Sequence, residues 1–235
     1  MKRRLEGNPA MGWRGLRMAV DRPGIIRPQV RALLAAAEGR DLYVMFPMVT
    51  LASEIDAARA LVDREVERRS KRGEALPAAI RIGAMIETPS AAWRLEEIAR
   101  RVDFLSVGGN DLAQFYFAAD RESEMTQRRF DPIEPGFLSF IQMLVEKAAR
   151  AGKPVSYCGE QASDPLMAAA LIGVGVRRFS IPATAVGPFK RLVRSLDASA
   201  LTKWLEERLS SAGDSLRAPL VQHLREQGAQ FSQKR

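Results

Sequence analysis

The chain has 235 residues, 46% of them apolar and 27% charged, with a formal net charge of +8. That balance describes a soluble globular chain with material for one or two domains, not a disordered one. A single cysteine, Cys158, excludes an internal disulfide and a Cys-rich zinc site, and a single histidine, His223, excludes two-histidine metal motifs. No apolar run approaches the ~20 residues that span a bilayer. Basic Met1-Lys2-Arg3-Arg4 runs into Leu5-Glu6-Gly7 rather than an apolar segment, so no signal peptide is expected and the cytoplasm is the default compartment. The basic residues are dispersed, and the Arg pairs at 100–101, 128–129 and 177–178 have no aromatic interleaving, so neither nucleic acid nor a membrane is an expected partner.

Short β-rich runs alternate with helical patterns, which argues for a parallel sheet or barrel. Leu42 to Met48 is the first expected strand, and Ser53 is placed to cap the helix that follows, with Ile55, Ala58, Val62 and Val66 on one face and Gly73 and Pro77 as breakers. Ile80 to Ile86 is the second strand; Thr88-Pro89 then starts a helix. Phe104 to Val107 is the third, ending at Gly108-Gly109-Asn110-Asp111. Gly136 to Ala151 reads as a helix stopped by Gly152, and Val155 to Tyr157 as a fourth strand running into Cys158-Gly159-Glu160. Asp164-Pro165 opens another helix, Arg178 to Ile181 is a short fifth strand, and Gly187-Pro188 starts a further helix. Residues 198–235 read as a polar helical tail. Trp13, Trp93 and Trp204 sit at helical positions and are expected in the core or in grooves.

In parallel α/β folds chemistry sits where strands end and helices begin, which directs attention to Glu87, Asn110, Asp111 and Cys158. Two carboxylates on adjacent barrel strands can share one Mg²⁺, which needs few protein ligands; the plainer alternative is that each caps its helix. Gly108-Gly109-Asn110 suits close approach of an anion and is equally an ordinary strand-to-helix turn. Cys158 is either a small buried hydrophobe or a proton donor beside a metal. His223, in a polar helix with no acidic partner arranged around it, reads as a surface histidine.

Taken in order, the motifs carry more. Asn8-Pro9-Ala10-Met11-Gly12-Trp13-Arg14-Gly15-Leu16-Arg17, Met45-Phe46-Pro47-Met48-Val49, Gly83-Ala84-Met85-Ile86-Glu87-Thr88-Pro89, Val107-Gly108-Gly109-Asn110-Asp111-Leu112-Ala113-Gln114, Ala118-Ala119-Asp120-Arg121, Phe130-Asp131-Pro132 and Cys158-Gly159-Glu160 form a series. In this order the series resembles the C-terminal barrel of phosphoenolpyruvate-protein phosphotransferase, enzyme I of the sugar or nitrogen phosphotransferase system. The stretch Phe115 to Arg121 and the Gly187-Pro188 segment are more similar to the nitrogen-branch form. The resemblance implies a (β/α)₈ TIM barrel that binds phosphoenolpyruvate and Mg²⁺, with Glu87 and Asp111 as metal ligands and Asn110 and Asp111 on the substrate. It further implies that Arg14 and Arg121 clamp the phosphate, and that Cys158 protonates the enolate carbon as pyruvate forms.

The resemblance also implies what the chain lacks. The family's phosphoryl acceptor is a histidine of a separate N-terminal domain, to which His223 does not correspond, so the route to a phosphocarrier protein runs through a domain outside this sequence. Three strands precede the Asn8-to-Arg17 segment in the family, so an N-terminally truncated barrel with about five of eight strands is expected over residues 1–197, followed by the helical tail 198–235. A homodimer is implied as well. Gly109 stands where the family has Thr or Ser, Glu122-Ser123 where it has Gly-Asn, and Gln161-Ala162-Ser163 where it has Leu-Ala-Gly. Two other readings share parts of the pattern: a relative of pyruvate phosphate dikinase or phosphoenolpyruvate synthase, and a non-catalytic dimerisation or binding module.

Overall fold

The structure is a computed structural model that describes residues 6–120, 123–127, 129–210 and 215–231. Arg121 therefore lies outside the described residues. Five parallel strands, β1 (Leu42–Phe46), β2 (Ile80–Ile86), β3 (Phe104–Gly108), β4 (Val155–Cys158) and β5 (Phe179–Ser180), follow one another in the sheet in sequence order. Such an order is what successive strand–helix units produce, each crossover returning the chain to the next strand position. The chain divides into two compact units, Met1–Leu105 and Ser106–Arg235.

The first unit opens with α1 (Leu16–Asp21) and α2 (Pro23–Ala37), helices that the sequence pattern did not announce because Pro23, Gly24 and Pro28 look like breakers. Pro23 instead occupies the first helical position, where its missing N–H is no loss, and Pro28 faces solvent in the next turn. Val30, Leu34 and Ala37 bury the opposite face. Helix α3 (Ala52–Lys71) does not use Ser53 as its cap: the Glu54 carboxylate accepts from the Thr50 and Leu51 amides at 2.7 and 2.8 Å. Its apolar face is Ile55, Ala58, Leu61 and Val62, but one turn later the buried residue is Glu65, only 2% exposed, while Val66 is half-buried. Arg27 and Arg31 of α2 each reach the Glu65 carboxylate at 2.6 Å, and Arg68 at 2.7 Å. Burial pushes the Glu65 carboxyl up, yet Arg31 and Arg27 outweigh it and hold it below the ordinary carboxylate range. Beyond β2 come α4 (Pro89–Trp93), capped by Thr88 as the sequence suggests, and α5 (Leu95–Ala99). Gly83 in β2 is required by packing, since a Cβ there would lie 2.4 Å from the Phe104 ring. Trp93 is not a core residue: it is 80% exposed, and Trp13 is at the surface too.

In the second unit β3 passes without a loop into α6 (Gly109–Tyr116), followed by α7 (Glu124–Gln127) and α8 (Pro135–Arg150). Glu134 caps α8, accepting from the Gly136 and Phe137 amides. After β4, a 3₁₀ turn (Glu160–Ser163) leads to α9 (Pro165–Gly173), capped by Asp164. Every α9 residue from Leu166 to Gly173 is buried, so the helix is apolar all round and serves as the centre of this unit's core. Around it pack α8, α10 (Val186–Arg194), α11 (Ala198–Leu209) and α12 (Arg217–Glu226). The α11 contact is close because Gly173 has no side chain: a Cβ would lie 2.2 Å from Leu205 Cδ1, and Thr202 donates to the Gly173 carbonyl at 2.9 Å. His223 of α12 stacks on Trp204 of α11 with ring centroids 4.8 Å apart.

Candidate functional site

In the first unit the end of β2 is stapled to the loop after β1. The Glu87 carboxylate, 3% exposed, accepts from the Met48 amide at 2.6 Å; Thr88 donates to the Val49 carbonyl at 2.9 Å and Ser90 to the Thr50 carbonyl at 2.8 Å. Met48 has φ 57°, a left-handed conformation that a non-glycine residue adopts only when its surroundings fix it. Those surroundings are the Glu87 carboxylate and Gly15, itself left-handed, where a Cβ would come within 2.9 Å of Met48 Cβ. Leu16 donates to the Pro47 carbonyl at 3.0 Å on the same loop. Met48 thus brings the Arg14-Gly15 segment and Glu87 together. Arg14 Nε donates to the Ala10 carbonyl at 2.8 Å, and Arg17 fixes the same loop through the Met11 and Gly12 carbonyls.

In the second unit the strand ends of β3 and β4 lie side by side. Asp111, 9% exposed, sits in the first turn of α6, where the helix N-terminus favours a negative charge. The preceding Asn110 has its Oδ1 buried without a hydrogen-bond partner among the described residues. Gly159, with φ 126°, brings its backbone against that amide; a Cβ there would be 2.8 Å from Asn110 Oδ1. A buried acceptor left unmatched costs about 1–3 kcal/mol, the kind of strain that persists where a ligand supplies the missing donor or charge. Cys158 is half-buried at the end of β4. Its Sγ receives a hydrogen bond from Ser106 at 3.4 Å and donates to the Val107 carbonyl at 3.4 Å.

Two residues that stood out as departures are joined by a third that did not. Tyr157 is fully buried, and its hydroxyl occupies the space beside Gly109, where a Cβ would lie 2.2 Å from it. The same hydroxyl donates to Gln161 Oε1 at 3.2 Å. Burial, with the neighbouring Cys158 charge, pushes the Tyr157 phenol up, so it remains a donor at any working pH. Gln161 and Asn110 then form part of the wall of a cavity of about 350 Å³ that Asp120, Asp164 and Arg217 also line. Arg217 was not legible as a site residue: it lies 86 positions from Asp131, which it grips with Nε at 2.8 Å and Nη2 at 3.0 Å, and it also reaches Asp164 at 2.9 Å. Its two acids stood out in the sequence only as part of the Phe130-Asp131-Pro132 motif and as the Asp164-Pro165 helix start.

Within the first unit Glu87 offers a buried carboxylate, and within the second Asp111 offers a carboxylate and Asn110 an amide oxygen, all donors of the kind hard cations take. Among the described residues no group of three His, Cys, Asp or Glu gathers as a metal cage.

Five parallel strands following one another in sequence order, joined through helices, define an α/β domain of the barrel class. The chain belongs to the family of phosphoenolpyruvate (PEP)-utilising enzymes, as their C-terminal PEP-binding domain, whose pattern matches residues 1–198. It is 39% identical over 234 residues to the phosphoenolpyruvate-dependent phosphotransferase system protein of Salmonella typhimurium, covering 98% of this chain and 30% of that protein. It is 39% identical over 203 residues to phosphoenolpyruvate-protein phosphotransferase of Staphylococcus carnosus, covering 86% of this chain and 35% of that protein. The chain thus spans about a third of the length of these relatives. In structure it is similar to a citrate lyase from Burkholderia xenovorans, with a TM-score of 0.50 and 18% identity over 88% of this chain and 71% of the other, a likeness of fold alone. Among the described residues no helix is long and apolar enough to cross a membrane.

Proposed function

We propose that the chain is the PEP-binding, Mg²⁺-dependent part of a phosphotransferase that releases pyruvate and passes phosphate to a histidine of an N-terminal domain outside this sequence, and thence to a phosphocarrier protein. The observation that carries the reading is the 39% identity across 98% of the chain to a PEP-dependent phosphotransferase, with the resembling motif residues standing at successive strand ends. In this reading residues 1–197 are the partial barrel and 198–235 its helical tail, and the protein works in the cytoplasm as a homodimer.

Glu87 and Asp111 would hold the Mg²⁺, which supplies charge neutralisation for a phosphoryl group in transfer. Asn110, whose buried oxygen lacks a partner, would orient the substrate together with Asp111. Arg14 and Arg121 would clamp the phosphate, for which a guanidinium offers paired donors. The phosphoryl group leaves the enol oxygen for the acceptor nitrogen, and enolpyruvate remains. Its C3 takes the proton of the Cys158 thiol as the enolate oxygen becomes the ketone, giving pyruvate and a thiolate that regains a proton from water.

Calorimetric titration with PEP and Mg²⁺ tests the reading: heat that disappears with EDTA is expected, and no heat from the folded chain would overturn it. Glu87→Gln separates ligand from staple. Glutamine keeps an acceptor for the Met48 amide, so stability should fall by no more than about 1 kcal/mol, whereas Mg²⁺-dependent heat should be lost. Incubated alone with labelled PEP and a carrier protein, the chain is expected to transfer no phosphate.

A further inference from the structure

We infer that Ser106, itself held by Ser156, is the positioning residue for the Cys158 thiol; the inference rests on the proposed role of Cys158 as the proton donor to C3. Side chains two apart on a strand share a face, so Ser156 and Cys158 project from the same side of β4. Ser106 on the neighbouring strand spans the two. It accepts from Ser156 at 3.0 Å and donates to Cys158 Sγ at 3.4 Å.

The direction of this chain of hydrogen bonds gives it a chemical consequence. Ser106 is 3% exposed, and a buried hydroxyl ordinarily spends its proton on a strong acceptor such as a carbonyl. Here, with its oxygen engaged by Ser156, the proton goes to sulfur. A thiol is a weak acceptor and a thiolate a strong one, so the bond strengthens when Cys158 gives up its proton. The thiol's own hydrogen meanwhile points at the Val107 carbonyl, which favours the neutral form. One partner therefore holds the acid before transfer, and the other stabilises the conjugate base that transfer leaves behind. A group that binds the product of proton loss better than the resting thiol assists the step without touching substrate.

Because Cys158 is the single cysteine of the chain, alkylation by iodoacetamide reads this thiol alone. The titratable or charged residues nearest along the chain are Tyr157 and Glu160, and those adjoining the strands on either side are Asp111 after β3 and Arg178 before β5; the test variants leave all four unchanged. Ser106→Ala should move the alkylation profile to higher pH and slow alkylation at pH 7 about tenfold, the loss expected of one hydrogen bond to a charged group. Ser106→Thr, which keeps the hydroxyl, should restore the profile, and Ser156→Ala should shift it in the same direction by less. In deuterated water with Mg²⁺, Ser106→Ala should slow exchange of the pyruvate methyl protons about as much while pyruvate affinity is unchanged. An unaltered alkylation profile in folded Ser106→Ala would overturn the inference; if that variant does not fold, an unaltered profile in Ser156→Ala, at a half-buried position, overturns it instead. Should the parent chain exchange no methyl protons and bind no PEP, the proposed function fails, and the alkylation profiles still decide the role of Ser106.

Discussion

Gly109 admits the Tyr157 hydroxyl only because it has no side chain, and Gln161 then satisfies that hydroxyl. Gly109→Ala should therefore destabilise the chain by about 1–3 kcal/mol through overpacking, read by urea denaturation. The neighbour it would meet is a rigid phenol tip in a fully buried ring, which cannot swing aside. In Tyr157→Leu the space opens, and adding Gly109→Ala should then cost little; a double-mutant cycle without coupling would contradict the contact. The sequence showed Gly109 and Gln161 as separate departures from a family pattern. That one buried phenol explains both was not legible, because the three positions meet through tertiary packing across 48 and 4 residues of chain, which no local periodicity encodes. The placement of Glu87 and Asp111 at strand ends was legible for the opposite reason: a carboxylate directly after a strand is a local signal.

At the scale of elements, α11 and α12 are docked by an ionic clamp and a ring stack. Burial pushes the Asp131 carboxyl up, but Arg217, the Ile133 amide and the Ser215 hydroxyl outweigh it and hold it below its ordinary 3.8. Burial, assisted by Arg208 against the opposing Glu226, pushes His223 below its ordinary 6.5. Each group therefore binds fewer protons folded than unfolded, so acid weakens docking at both. The His223 contribution is complete above 6.5 and falls as pH drops below it; the Asp131 contribution is complete above 3.8 and is lost as pH falls through its lower folded value. Trp204 fluorescence in a Trp13→Phe, Trp93→Phe background should report two acid steps, of which His223→Gln removes the first alone. Arg217→Ala should cost about 1–2 kcal/mol, a charge-assisted pair discounted for the half-exposed guanidinium. The polar helices were legible in the tail from composition, but their anchor was not: an Arg in a polar helix looks solvated until its distant acids are known.

The whole-molecule question is whether the tail is an appendage or part of the fold. The family pattern ends at residue 198, where α11 begins. Yet Leu201 and Leu205 of α11 and Leu220 and Leu224 of α12 are each no more than 1% exposed, and they cover α9, whose own residues are apolar on every side. Net charge leads to the same view. Among the described residues, many of the arginines behind the +8 charge are spent within the fold: Arg27, Arg31 and Arg68 surround Glu65, Arg217 clamps two acids, and Arg101 and Arg177 donate to carbonyls in the last turn of α5 and α9, the groups that helices leave unmatched. Basicity here largely ties elements together. A chain ending after Leu196 would lose the four buried leucines, at roughly 1.5–3 kcal/mol each, a sum comparable with the ~5–15 kcal/mol by which whole domains are stable. It would also bare the apolar surface of α9. Such a chain is expected to aggregate on expression or to unfold without a cooperative transition, read by size-exclusion chromatography and thermal circular dichroism. A monodisperse, cooperatively folding product would show instead that α8 and α10 suffice to support α9.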